Sequence, residues 1–111
     1  MSVIKVYDLF GDLAVSDADG EILHQKIEHE LSICETVVVD FSNVETVLTQ
    51  FLNAAIATLY KNHSSEELRS KLEIKGLKST DSLRRVIARA KIFYKDEKKA
   101  KEFISKEEFY E

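Results

Sequence analysis

The sequence predicts a layered α/β fold, with a small mixed sheet of about four strands and helices packed on it. Two kinds of segment alternate along the chain. Short runs rich in β-branched residues are typical of strands, and segments with apolar residues three or four positions apart are typical of amphipathic helices. With 111 residues there is room for one domain, so the alternation indicates a single open sheet rather than a closed barrel.

The first part of the chain predicts a hairpin and then a long helix. Residues 3–7 (VIKVY) read as the first strand, residues 10–12 (FGD) as a turn and residues 13–15 as a short returning strand. Ser16 is the expected N-cap of a helix over residues 17–33, because its hydroxyl precedes carboxylates in the first turn. The apolar positions of this helix recur about every four residues and indicate one face against a sheet.

A valine-rich run predicts the central strand. Residues 36–41 (TVVVDF) are apolar on both sides of the chain, as expected for a strand that helices cover on both faces. A polar loop follows, and the next apolar stripe predicts a helix over residues 49–62. Asp40 therefore stands at the end of a buried strand, beside the loop that leads to a helix. Such corners often carry functional groups in α/β proteins.

The second part of the chain predicts two more helices and one more strand. A short helix over residues 66–71 would be capped by Ser65, and the alternating run at residues 72–77 reads as a strand. Ser79 or Thr80 is the expected cap of the following helix. The apolar stripe of that helix is the cleanest in the chain: Leu83, Val86, Ile87, Ala90 and Phe93.

We predict one α/β domain over residues 1–95 and a charged helical tail over residues 96–111, since no linker or repeat marks another boundary. No apolar run approaches the ~20 residues that cross a bilayer, and the first residues do not resemble a signal peptide. The single cysteine, Cys34, has no partner for an intrachain disulfide. These features predict a cytoplasmic protein without a membrane segment.

Charge is unevenly distributed along the chain. The net charge is −4, with −8 over residues 1–55 and +4 over residues 56–111. The acidic half argues against a general nucleic-acid binder, because neutralising phosphates requires a continuous basic surface. The segregation suits a surface that orients a protein partner. The alternative is that ordinary solvated faces happen to differ in sign.

No motif for a cofactor or a metal is present. The three glycines are isolated and form no phosphate-binding loop: Gly11, Gly20 and Gly76. The three histidines lack the spacing of a zinc site: His24, His29 and His63. No nucleophile, base and orienting group occur together in a local pattern. The sequence therefore predicts no cofactor, no metal site and no enzymatic activity.

Asp40 and a group of arginines are the charged candidates for a site. Asp40 is either a general base or metal ligand, or a carboxylate that organises its loop by accepting backbone N–H groups. The arginines lie on the outer face of the last predicted helix: Arg84, Arg85 and Arg89. They form either a basic contact face for an acidic partner or nucleic-acid phosphate, or an ordinary solvated surface.

The order of elements and residues 36–52 (TVVVDFSNVETVLTQFL) resemble the STAS superfamily, and most closely its bacterial STAS-like domains of unknown function. The resemblance covers residues 3–95. It lies in three pieces: Ala14-Val15-Ser16, Val39-Asp40-Phe41 followed by Val44, and Phe51-Leu52-Asn53. It implies a STAS-like fold and a non-enzymatic signalling role like that of the related anti-sigma-factor antagonists.

Antagonists that are switched by phosphorylation carry an Asp-Ser-Ser-Gly segment at the end of the loop, where a serine receives phosphate from a partner kinase. The corresponding residues here are Leu48-Thr49-Gln50-Phe51, and only Thr49 keeps a hydroxyl. Thr49 is therefore a candidate phosphoacceptor by resemblance, or simply the N-cap of its helix. The resemblance also implies the partner, a GHKL-type ATP-binding kinase or another signalling component.

We therefore expect a regulatory protein-interaction domain that binds its partner through one strand–loop–helix corner. The corner consists of Asp40, Ser42, Asn43, Thr49, Gln50 and Asn53. The alternative is a small ligand-binding domain or enzyme that uses Asp40. A deep pocket around Asp40 with a raised carboxyl pKa would favour this alternative, and a filled corner would favour the interaction domain.

Overall fold

The computed structural model describes residues 1–94. The elements in chain order are β1 (Ser2–Lys5), α1 (Val6–Phe10), β2 (Leu13–Ala14), α2 (Asp17–Ile33), β3 (Val37–Asp40), β4 (Thr46–Val47), α3 (Thr49–Ala55), a 3-10 helix (Ala57–Lys61), α4 (Ser65–Lys71), β5 (Leu72–Lys75) and α5 (residues 81–94). The α/β class is confirmed. The predicted tail at residues 96–111 lies outside the described residues.

The main sheet is parallel and has three strands in the order β1-β3-β5. Each strand of this sheet is added on the same side of the one before it. In such an order, right-handed crossover connections place their helices on the same face of the sheet. That face carries Ile4, Val39 and Ile74, which belong to the helix-packed core. On the other face Val38 is only 4% exposed, but its neighbour Val3 is 47% exposed. The predicted burial of the central valines is confirmed, whereas the described helices cover one face rather than both.

The predicted hairpin is not formed. The chain turns into α1 directly after Lys5, and β2 pairs in parallel with β4, a two-residue strand that the sequence did not predict. Backbone hydrogen bonds extend this contact, from Glu45 N to Asp12 O (2.8 Å) and from Leu48 N to Ala14 O (2.9 Å). Residues 1–94 therefore form two small parallel sheets in place of one mixed sheet of four strands.

The long helix α2 forms where the sequence predicts it. Ser16 Oγ accepts a hydrogen bond from Asp19 N at 3.1 Å and caps the helix. The buried face of α2 includes Gly20, where α3 approaches closely. A Cβ atom at Gly20 would lie 2.7 Å from both Ala54 Cβ and Phe51 O. Glycine is thus required here because a side chain would separate the two helices.

The predicted helix over residues 49–62 is divided into two pieces, because α3 ends at Ala55 and a 3-10 helix follows. The next cap is displaced by one residue from the prediction. Ser64 rather than Ser65 caps α4, with its Oγ accepting from Glu67 N at 3.0 Å. Among residues 1–94 no helix combines the length and the apolar character that crossing a bilayer requires.

One aromatic side chain joins the elements around the corner. Phe51 of α3 is fully buried, and its ring packs in a T-shaped arrangement with the rings of Phe10 and Phe41, at centroid distances of 5.7 and 6.3 Å. These three rings connect α1, the end of β3 and α3. One side of the start of α3 is therefore fixed to the core, and its opposite side lies at the surface.

Candidate functional site

Asp40 organises the loop after β3. Its Oδ1 accepts a hydrogen bond from Ser42 N at 2.9 Å. The turn after β5 fills the space beside this contact: a Cβ atom on Gly76 would lie 2.5 Å from Ser42 N and 2.7 Å from Asp40 Oδ1. The structure thus favours the loop-organising interpretation of Asp40, in a filled corner rather than a deep pocket.

The surroundings of Asp40 stabilise its charged form. Hydrogen bonds from the hydroxyl and the backbone amide of Ser42 lower the pKa of the carboxyl, and burial opposes them only in part. The positive charges of Lys75 and Lys5 on the neighbouring strands lower this pKa further. A carboxylate with a lowered pKa is a weak base, which is the opposite of what general acid–base catalysis requires.

The first residues of α3 divide into a buried and an exposed set. Phe51 and Leu52 are buried, while Thr49 and Asn53 are exposed. The residue at the N-cap position is Leu48, with no side-chain hydrogen bond, so the prediction that Thr49 caps the helix is wrong. Gln50 is exposed, but its Nε2 donates to the backbone oxygen of Val15 at 2.6 Å and ties α3 to the segment before α2.

The six residues predicted to form one corner fall into two groups. Asp40, Ser42 and Asn43 stay at the end of β3, where Asn43 adopts a left-handed conformation with φ of 71°. The other three residues, Thr49, Gln50 and Asn53, follow β4 and lie on α3. Among the hydrogen bonds of residues 1–94, none joins the two groups.

An open groove of about 500 Å³ lies beside α3, between the start of α2 and one side of α5. We call it the α5 groove. Its lining is Asp17, Glu21, Gln50, Asn53, Ala54, Ala57, Thr58, Val86, Arg89, Ala90, Phe93 and Tyr94. The groove therefore brings together members of two sets that the sequence predicted separately, the corner and the basic face.

The three arginines do not act as one surface. All are exposed, but only Arg89 lines the α5 groove. Arg85 bends back along its own helix, where its Nε donates to Asp81 O at 3.5 Å. Of the predicted basic contact face, the groove thus retains one residue.

A histidine lies between two carboxylates beside the second half of α2. His63 contacts Glu28 of α2 through Nε2 and Glu67 of α4 through Nδ1, the latter at 2.6 Å. Three other groups surround these carboxylates: Asn62 and His24 beside Glu28, and Lys71 beside Glu67. We call this set the histidine cluster. The sequence analysis missed it, although the four-residue spacings His24–Glu28 and His63–Glu67 were available as a signal.

The contacts of His63 indicate that its imidazole is protonated. Carboxylate oxygens only accept hydrogen bonds, so both ring nitrogens must donate. Burial lowers the pKa of His63, but hydrogen bonds to Glu28 and Glu67 and their negative charges outweigh it and raise the pKa above its usual value. The same contact lowers the pKa of Glu67. Within the described part of the chain, no group of three or more histidine, cysteine, aspartate or glutamate side chains is placed to hold a metal ion.

The histidine cluster predicts a pH dependence of stability. Folding raises the pKa of His63. Its contribution to the free energy of unfolding is therefore complete below the unfolded pKa of about 6.5 and is lost as pH rises through the folded pKa. The contribution of Glu67, whose pKa is lowered, is present above about pH 4.5 and is lost as pH falls through the folded pKa. We expect His63→Gln to cost about 1 kcal/mol at pH 5.5, and less as pH rises.

Urea unfolding between pH 5 and 9 measures this effect. His29→Gln is the matched control, because His29 is exposed on α2, the helix that carries Glu28, and its side chain lies outside the cluster. An equal loss for His63→Gln at pH 5.5 and pH 9 would contradict the proton-dependent contact.

The comparison with family models agrees with this architecture. The model of a STAS-like domain of unknown function matches residues 19–82. This span includes most of α2, β3, the loop, α3 and β5. The chain therefore belongs to the STAS-like domain family of unknown function. No curated protein and no solved structure is significantly similar to it.

Proposed function

We propose that this chain is a non-enzymatic bacterial regulatory domain, acting in the cytoplasm, that binds a protein partner through the exposed side of α3. One observation carries the proposal. The helix buries Phe51 and Leu52 in the core and presents Thr49 and Asn53 at the surface, directly beside the open α5 groove. A polar helix face fixed by a rigid core, next to a groove, suits recognition of another protein.

The state of Asp40 supports binding over catalysis. The carboxylate is held by Ser42, has a lowered pKa and does not line the groove. The alternative of a small enzyme that uses Asp40 required a deep pocket and a raised pKa. Neither condition is met at this residue, so the interaction domain is the better-supported function.

The departures from the phosphoswitch pattern have structural reasons. Phe51 replaces the expected glycine because its ring fills the core, and Gln50 replaces a serine and ties α3 to Val15. Within the segment Leu48-Thr49-Gln50-Phe51, Thr49 is the residue that keeps a hydroxyl, and it is exposed. Phosphate on Thr49 would add nearly two negative charges to the exposed helix face and weaken docking of the partner. By resemblance to anti-sigma-factor antagonists, we propose as that partner a GHKL-type ATP-binding kinase or another signalling component.

Co-purification from the native cell tests the proposal. We expect wild-type protein to retain a specific partner, and the Thr49→Glu variant to lose at least about nine-tenths of it, because the added carboxylate imitates part of the phosphate charge. Ser32→Glu is the matched control, since it places the same charge at an exposed hydroxyl near the end of α2, outside the predicted corner and the α5 groove. Phosphate on Thr49, detected by mass spectrometry after incubation with the partner and ATP, would support the gating.

Two results would count against the proposal in different ways. If Thr49→Glu and wild type retain the same partners, Thr49 does not gate binding. If the wild-type chain retains no partner at all, the function as an interaction domain fails.

A further inference from the structure

The α5 groove carries opposite charges on its two walls. Asp17 and Glu21 are exposed and lie four residues apart on α2, while Arg89 is exposed on α5. None of the three forms an ion pair within residues 1–94. Charges that remain unpaired on facing walls attract a ligand with the complementary arrangement of charge.

The shape of the groove fits a helix. Its α5 side extends from Val86 to Tyr94, a length of about 12 Å or two helical turns. Small side chains form its floor, Ala54 and Ala57, and Ala90 adds another on the α5 side. Small residues let another backbone approach closely, and Phe93, which is 63% exposed, offers an apolar contact at the end.

We propose that the α5 groove binds an amphipathic helix of the partner protein. Apolar residues of that helix would rest on the alanine floor and against Phe93. Basic residues on one flank would face Asp17 and Glu21, and acidic residues on the other flank would face Arg89. This inference rests on the proposed function and names the chemistry of the partner segment.

Charge complementarity specifies the kind of partner helix that the groove would bind. The α2 wall belongs to the half of the chain whose net charge is −8, so a basic flank is attracted from a distance as well as at contact. The opposite flank must be acidic to satisfy Arg89. A uniformly basic or uniformly acidic helix would meet repulsion at one wall, and the groove therefore selects helices by their two-sided charge.

Two synthetic helical peptides of about 14 residues serve as probes. Both carry leucines along one face; the first has lysines on one flank and glutamates on the other, and the second has lysines on both flanks. Titration into isotope-labelled full-length protein is followed by NMR. We expect the first peptide to shift the amide signals of the groove lining, Asn53, Thr58 and Arg89 among them, and to bind at least about fivefold more tightly than the second.

Charge reversals then test the orientation of the walls. Either Glu21→Lys or Arg89→Glu is expected to weaken the first peptide by about fivefold, and Arg89→Glu to strengthen the second by a similar factor. The triple variant Asp17→Lys, Glu21→Lys, Arg89→Glu should recover binding of the first peptide to within about twofold, because a helix placed in the reverse direction presents its flanks to the opposite walls. Arg84→Glu, on the same helix but outside the groove, is the matched control.

Several outcomes would overturn the inference. They are no shifts in the groove with either peptide, equal affinity for both peptides, or no recovery in the triple variant. Signals from residues 95–111 that move together with the groove would mean that the end of the chain itself is the occupant. Groove signals that change on dilution of the protein alone would mean that a second copy is the occupant.

The test separates this inference from the proposed function. If the partner retained by wild type is lost with Thr49→Glu but kept with Glu21→Lys and Arg89→Glu, the interaction domain stands and the groove inference fails. If no partner is retained while the first peptide binds as expected, the groove recognises charged helices and the proposed regulatory function fails.

Discussion

Replacing Phe51 with alanine is expected to lower the free energy of unfolding by about 3–5 kcal/mol. The ring is fully buried and contacts Phe10 and Phe41, so its removal leaves a cavity among α1, the end of β3 and α3. This loss is a large fraction of the roughly 5–15 kcal/mol by which such domains are stable. Because Phe51 fixes the start of α3, the variant should also disorder the surface that presents Thr49.

Urea unfolding followed by circular dichroism measures the loss. Phe51→Leu keeps most of the volume and is expected to cost less than about 1.5 kcal/mol, so a folded variant is available if the alanine form does not fold. Phe93→Ala is the control for an aromatic residue that is mostly exposed, with an expected change within about 0.5 kcal/mol. A loss below about 1 kcal/mol for Phe51→Ala would show that this ring does not hold the corner.

Replacing Gly76 with alanine is expected to cost about 2–5 kcal/mol. Two terms contribute to this estimate. The residue has φ of 83°, a conformation that costs other residues about 1–2 kcal/mol. The new Cβ would also lie 2.5 Å from Ser42 N and 2.7 Å from Asp40 Oδ1, so the loop after β3 must shift, at about 1–3 kcal/mol.

Gly11→Ala is a control without a collision, because a Cβ atom there meets nothing within 4 Å. Its φ of 74° is combined with a ψ of −147°, a region that essentially only glycine adopts, so its expected cost is backbone strain alone. Gly11→Ala should therefore leave the loop after β3 in place, whereas Gly76→Ala displaces it. The carboxyl of Asp40 gives a second readout by NMR titration: displacement of Ser42 should let its pKa rise toward the ordinary value. An unchanged Asp40 pKa would contradict the role assigned to this contact.

Local signals in the sequence predicted the elements whose stability is local. Helix α2 has a serine at its cap, carboxylates in its first turn and apolar residues on one face, and it forms over the predicted residues. β3 and β5 were also predicted from local patterns. The run at β3 is apolar, and apolar and polar residues alternate along β5. The STAS-like family was recognised from the same segments.

Elements that depend on distant contacts were not predictable in this way. β4 has two residues and exists because β2 pairs with it across more than thirty positions of the chain. No local pattern distinguishes such a strand from a loop. The insertion of β4 also explains why the predicted corner is divided: it separates Asp40 and its loop from Thr49 on α3.

The candidate site was predictable only in part, because it also depends on contacts between residues that are distant in the sequence. Asn53 was named as part of the strand–loop–helix corner and Arg89 as part of the outer face of the last helix, but their meeting in one groove depends on how α3 and α5 pack. Asp17 and Glu21 were assigned only to the start of α2, since carboxylates in a first turn stabilise any helix. The contact of His63 with Glu28 joins residues 35 positions apart and has no local signature.

All five strands described within residues 1–94 pair in parallel, and this has a kinetic consequence. Ser2 pairs with Val37 and Val37 with Leu72, so each contact of the main sheet closes a loop of 35 residues. None of these described strands can find its neighbour through a tight turn, and contacts between distant residues slow folding. During synthesis, the sheet is therefore incomplete until the ribosome has released the chain as far as Lys75, and until then the edge of β3 that β5 later covers stays unpaired.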